Sequence, residues 1–117
     1  MIEKKERKKR TAMEYHNVYV IELDKKVATV SKFMKGNEQY DGTMPCVYVG
    51  LTGLTPEERF QNHKKGHKSC KFVTLYGLCL MPNLYVHLNP MEYDDAVKTE
   101  KDLAEQLRVK GYGVWQR

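Results

Sequence analysis

Two stretches of the chain alternate with the period of a half-buried strand. Residues 17–22 are β-branched and aromatic, with Tyr19 and Ile21 on one face. Residues 45–50 set Val47 and Val49 against Cys46 and Tyr48. A short apolar run at 78–81, closed by Pro82, predicts a third strand. Elsewhere the spacing is helical. Val27, Val30, Phe33 and Met34 predict one amphipathic helix over 25–35, stopped by Gly36 and Asn37. Thr55, Pro56 and Glu58 supply an N-cap, a first-turn proline and a Thr-x-x-Glu capping box, which predicts a helix over 55–65 ending at Gly66. A short helix is expected over 71–76 behind a Ser69 cap, and residues 83–91, with Pro90, read as a connection. The fold class is α+β: a small, three-stranded, mainly antiparallel sheet flanked by helices.

The last helix, predicted over 91–110 and ended by Gly111, carries one break in its pattern. Tyr93, Ala96, Val97, Leu103, Ala104 and Leu107 form an apolar stripe, and its missing member is Glu100. A carboxylate on a buried face costs several kcal/mol, as an order of magnitude, unless it is paired or bound to a metal. A salt bridge to Arg59 or a lysine satisfies that requirement, and so does a cation. Glu105 is the fallback acid, but it falls off the stripe.

Composition narrows the class. The 117 residues suit one domain, read as 14–117, with a modest core. No apolar run is long enough to span a membrane or to serve as a signal peptide, and a cytoplasmic protein is expected. Cys46, Cys70 and Cys79 are odd in number and without Cys-x-x-Cys spacing, which argues against a disulfide framework. His63, His67 and Cys70 lack a fourth zinc ligand. The net charge is +5, most of it from residues 1–10, so residues 1–13 read as a basic, disordered or solvated tail. Within the domain, residues 59–71 hold Arg59, Lys64, Lys65, Lys68 and Lys71 and no acid. Charge of one sign there points to a polyanionic partner.

The basic stretch begins on the helix that follows the 45–50 strand. Arg59 and His63 are four apart and share a helix face, towards which a strand-end Tyr48 looks across Gly50 and Gly53. Taken singly, each residue has a plainer use: cross-strand packing for Tyr19 and Tyr48, pairing with Glu58 or a late-helix acid for Arg59, a surface position for His63. Taken in order, Tyr48-Val49-Gly50, Arg59 and His63 resemble the second half of the GIY-YIG nuclease motif. Asn17-Val18-Tyr19 is similar to its first half, with Asn17 where the family usually has glycine. The resemblance runs from about Asn17 to near Lys110.

That resemblance implies a DNA endonuclease that hydrolyses phosphodiester bonds. Tyr48 would be the general base, Tyr19 would position it or the water, and Arg59 would grip the scissile phosphate. His63 would hydrogen-bond the phosphate or relay a proton. Glu100 would be the single protein ligand of one Mg²⁺ or Mn²⁺. Lys64, Lys65, Lys68 and Lys71 would hold the DNA backbone. Some family members carry a lysine shortly after the Tyr-x-Gly; here Leu51 stands in that stretch, leaving Lys64 or Lys65 to substitute. Two alternatives stay open: a non-catalytic nucleic-acid-binding module on the same fold, and a protein-interaction domain using the 25–35 helix. The chain has no room for a separate DNA-reading domain, so weak or structure-selective specificity, a dimer or a targeting partner is expected.

Overall fold

A computed structural model describes residues 14–117; the basic tail at 1–13 lies outside them. Four strands form one sheet: β1 (Asn17–Leu23), β2 (Cys46–Thr52), β3 (Gly77–Leu80) and β4 (Gly113–Gln116), in the order β3-β1-β2-β4. β1 pairs antiparallel with β2 in unbroken register from Asn17↔Thr52 to Leu23↔Cys46, and antiparallel with β3. β4 pairs parallel with β2, Tyr48 lying opposite Trp115. The α+β class stands, and two of the three strand pairings are antiparallel as expected, but the sheet has four strands rather than three and the parallel β4 makes it mixed. β4 escapes a pattern reading because it is only four residues long and offers one apolar pair, Val114-Trp115, just after a helix stop.

Among the described residues four α-helices accompany the sheet: α1 (Ser31–Lys35), α2 (Pro56–Lys64), α3 (Lys71–Tyr76) and α4 (Tyr93–Val109). Every residue of β2 is buried, so both faces are covered. α4 packs on β1, β2 and β4 through the face that buries Ala96, Leu103, Ala104 and Leu107. It covers Val18, Val20, Val47, Val49 and Val114, which strand alternation puts on one side. α2 and α3 lie on the other side, with Tyr19, Ile21, Tyr48 and Trp115; Phe72 of α3 meets both Phe33 and Trp115 edge-on.

The helix expected over 25–35 is two pieces. A 3-10 turn at Lys25–Thr29 is capped by the Asp24 carboxylate, Val30 is extended (φ −88, ψ 119), and α1 follows. The β-branched run Val27, Thr29 and Val30 disfavours a continuous helix, and the Thr29 hydroxyl bonds back to the Lys26 carbonyl at 2.7 Å. Val27 and Phe33 still bury, as the apolar spacing requires. This segment also closes the sheet. Buried Asn37 accepts from Val114 N–H at 2.8 Å and donates to the Val114 carbonyl at 3.0 Å, pairing the outer edge of β4 as a strand would. Asn89 does the same for Val18 of β1, at 2.8 Å each way; it lies in the expected connection, which contains two 3-10 turns.

The capped helix forms as its sequence prescribes. Thr55 Oγ1 accepts from Glu58 N–H at 3.1 Å, and Glu58 Oε1 accepts from Thr55 N–H at 3.0 Å. The short helix begins after Cys70 rather than Ser69, whose hydroxyl is instead bonded to Thr74. Among the described residues, no helix is long and apolar enough to cross a membrane.

Candidate active site

Tyr19 and Gly50 are partners across the β1–β2 ladder. A Cβ built on Gly50 would lie 2.7 Å from the Tyr19 hydroxyl oxygen and 2.9 Å from Tyr48 Cε2. The bare α-carbon therefore makes the floor on which both phenols rest. Their ring centroids are 6.0 Å apart.

α2 closes the cluster from above. Its last turn delivers His63, fully buried, with its ring 5.3 Å from that of Tyr48 and nearly perpendicular to it. His63 Nδ1 accepts the Cys70 backbone N–H at 3.1 Å. In the neutral ring the proton then sits on Nε2, which donates to the Tyr19 hydroxyl oxygen at 2.9 Å. Burial, reinforced by the charge of Arg59, lowers the pKa of His63 to about 4 and keeps the ring neutral. Both ring nitrogens are thus engaged by protein groups. Neither ring nitrogen is left for a phosphate, the first of the two roles the resemblance implies; the second, relay of a proton, is compatible with the contact to the Tyr19 hydroxyl.

Arg59 stands one turn earlier on α2, half-buried. Two of its N–H groups reach the Lys68 carbonyl at 2.7 Å and the His67 carbonyl at 3.4 Å, which pins the guanidinium beside the tyrosines. Those two carbonyls take two of the five guanidinium donors, and the others face the tyrosine hydroxyls and an incoming anion. The phenols respond to two opposed influences. Desolvation raises Tyr19 to about 12, against the charge and hydrogen bonding of Arg59 and a hydrogen bond from Tyr48, while the charge of Glu100 pushes it further up. Desolvation, then Tyr19 itself, raises Tyr48 further still, and Arg59 again works the other way. Tyr48 and Arg59 therefore share one side of the domain.

Glu100 projects from the middle of α4 and is 1 % exposed. Its Oε2 pairs with Arg117 Nε at 2.9 Å, and its Oε1 accepts from Gln116 Nε2 at 3.3 Å. Burial raises its pKa, and Arg117 and Gln116 only partly offset this. On the arginine's side burial is the largest influence and works downward, but Glu100 and Tyr93 together outweigh it and raise the pKa. Desolvation falls harder on the deeper partner: the Arg117 side chain keeps 43 % of its exposure and Glu100 only 2 %. The expected ion pair exists, but with Arg117 rather than Arg59 or a lysine. Arg117 and Gln116 had no signal in the sequence, because their role depends on the unforeseen strand β4.

The donor set at Glu100 is one hard carboxylate with two oxygens, of the kind Mg²⁺ or Mn²⁺ accepts alongside water and phosphate oxygens. Each oxygen already receives one hydrogen bond and keeps a second lone pair, so the residues fit such an ion with Arg117 as its competitor. Among the described residues no group of three or more His, Cys, Asp or Glu could hold a metal, so such an ion would depend on substrate and water for its other ligands.

The basic stretch divides. All four lysines are exposed, but Lys64 Nζ is drawn to the Gly77 carbonyl at 2.9 Å and the Thr74 carbonyl at 3.4 Å, tying α2 to the α3–β3 junction. No family model, curated protein or solved structure matches this chain.

Proposed function

We propose that the protein is a small GIY-YIG-type endonuclease that hydrolyses phosphodiester bonds in DNA. The observation that carries this reading is the packed cluster Tyr19–Tyr48–His63 over Gly50, with a half-buried guanidinium beside it. Ordinary aromatic packing has no need of a buried, neutral histidine whose tautomer is set by a backbone amide and spent on a tyrosine hydroxyl.

The chain's own groups divide the work as follows. Arg59 binds the scissile phosphate with the donors left over from the His67 and Lys68 carbonyls, and opposes the charge that builds there during attack. His63 holds the Tyr19 hydroxyl as an acceptor, which frees the Tyr19 O–H to point into the site and hold the attacking water, or Tyr48 once that phenol has lost its proton. Tyr48 takes the proton from that water. Its raised pKa leaves it a neutral phenol at neutral pH, a weak base, so positive charge must enter the pocket before the phenolate forms. Arg59 supplies part of that charge. Glu100 is the residue that would hold a divalent ion, and such an ion, when bound, would supply Lewis-acid neutralisation at the phosphate and the remaining charge.

A second reading, a nucleic-acid-binding module without cleavage, is favoured by the Arg117–Glu100 pair, which satisfies the buried carboxylate without any metal. Nicking of supercoiled plasmid in Mg²⁺ or Mn²⁺ separates the two. Wild type should nick, Tyr48→Phe and Arg59→Ala should lose at least about two orders of magnitude in rate, and chelation should stop the reaction. Nicking by Tyr48→Phe at the wild-type rate would remove the tyrosine from the chemistry; no nicking by folded wild type with either ion would leave the binding module.

A further inference from the structure

Beside the tyrosine cluster lies a cavity of about 400 Å³, and of its lining side chains only Lys71 has a role above, as a DNA-backbone contact. Trp115, Phe72 and Tyr76 give it aromatic walls, Cys70 stands at the end facing the cluster, and Lys32 and Lys71 are its only charged lining groups. Its position relative to the catalytic residues is fixed twice. Trp115 is the ladder partner of Tyr48 and shares its sheet face, and the Cys70 amide is the donor that holds His63.

We infer that this cavity is a subsite for an unstacked nucleobase of the DNA strand, next to the phosphate held at Arg59; the assignment rests on the nuclease reading above. Every base has a π-face, and stacking on aromatic side chains with cationic groups at the rim is the sequence-tolerant way to hold single-stranded nucleic acid. The two lysines and the absence of any carboxylate in the lining complement a phosphodiester on either side of the base. Lys32 now holds its ammonium 5.7 Å from the centre of the Trp115 ring, a cation–π contact on the surface that the base would take. Base entry replaces that contact with stacking and returns the ammonium to a phosphate. Adaptable Cys70 and half-buried Phe72 admit either a purine or a pyrimidine.

Trp115 is the only tryptophan in the chain, so its emission reports on this cavity directly. The test titrates the protein, in chelator, with a short oligodeoxythymidylate and with a blunt duplex of equal length. Binding is followed by anisotropy of labelled DNA and by tryptophan emission. The single strand should quench Trp115 with the same midpoint as its anisotropy curve, and the duplex should bind with far less quenching. Lys32→Ala, a surface change, should weaken single-strand binding and reduce its salt slope by roughly one unit. Trp115→Leu, checked for fold by circular dichroism, should weaken it about tenfold. Saturating single-strand binding without any change in emission overturns the subsite, as does an emission change that follows protein concentration in the absence of DNA, the mark of self-association. Plasmid nicking in parallel keeps the two proposals apart. Nicking with silent Trp115 defeats only the subsite, and quenching without nicking defeats only the nuclease.

Discussion

The phenol of Tyr19 lies directly over the α-carbon of Gly50, so close that a methyl group there would sit 2.7 Å from the hydroxyl oxygen and 2.8 Å from the ring carbon that bears it. Gly50→Ala should therefore displace Tyr19 from His63 and strain Tyr48 as well. A loss of about 1–3 kcal/mol in denaturant unfolding is expected from overpacking of this kind, with activity falling further than stability. A Gly50→Ala protein of wild-type stability and wild-type nicking rate would show that the phenols do not depend on that floor.

How much of the fold is legible in the sequence depends on how local each signal is. The capped helix and the alternation of β1 and β2 are written in consecutive residues, and they set Tyr19, Tyr48, Arg59 and His63 on their elements. Glu100 is visible as a break in an apolar stripe. The partner of Glu100 is not, because Arg117 reaches it only when β4 lies alongside β2, a non-local pairing announced by one apolar dipeptide. Asn37 and Asn89 are equally silent. Each imitates a strand edge, and a lone asparagine in a connection carries no trace of that. The 25–35 segment shows the converse error: its apolar spacing is right, but three β-branched residues divide the helix.

His63 provides a pH signature. Its folded pKa of about 4 lies below the ordinary 6.5, so between those values the unfolded chain binds the extra proton. Stability is then fully present above about pH 6.5 and is lost as the pH falls towards 4, by up to roughly 3 kcal/mol. Unfolding free energies of wild type and His63→Asn over that range should converge towards acid as the wild type weakens. A wild-type profile no steeper than the variant's would mean that His63 is already charged, or hydrated, in the folded protein.

The lysines should separate by function. Replacing Lys65, Lys68 and Lys71 together with Ala should lower DNA affinity and flatten its salt dependence, by roughly one unit of slope for each phosphate no longer neutralised. Lys64→Ala should instead cost up to about 1 kcal/mol of stability, because its ammonium holds the Gly77 and Thr74 carbonyls. If Lys64→Ala alone abolishes binding and the triple variant binds as wild type does, the DNA lies over a different face of the domain.

Arg117 and Glu100 offer the sharpest division between enzyme and binding module. Removing Arg117 leaves a buried carboxylate with only Gln116 to bond it, so Arg117→Ala should destabilise the metal-free protein by about 1–3 kcal/mol. The sign with pH follows from the raised pKa of Glu100, which in this variant loses both the hydrogen bond and the charge of Arg117 and keeps only Gln116 to lower it. A carboxyl whose folded pKa exceeds its unfolded value favours folding at acid pH and ceases to do so as the pH rises through the folded value. The deficit of Arg117→Ala should therefore widen from acid to neutral pH. Mn²⁺ or Mg²⁺ should then narrow it, since an ion that binds only the folded state stabilises that state, and Arg117 no longer competes for the oxygens. Glu100→Gln should behave differently. It strands no buried cation, because the Arg117 side chain is 43 % exposed and stays hydrated. Metal-free stability should hold or rise, while nicking and the metal-dependent rise in melting temperature should both disappear. Melting curves of the three proteins with and without Mn²⁺, beside plasmid nicking, decide the matter. Full nicking by a well-folded Glu100→Gln protein, or equal Mn²⁺ stabilisation of all three, would remove the metal from Glu100 and leave Arg117 as its lasting partner.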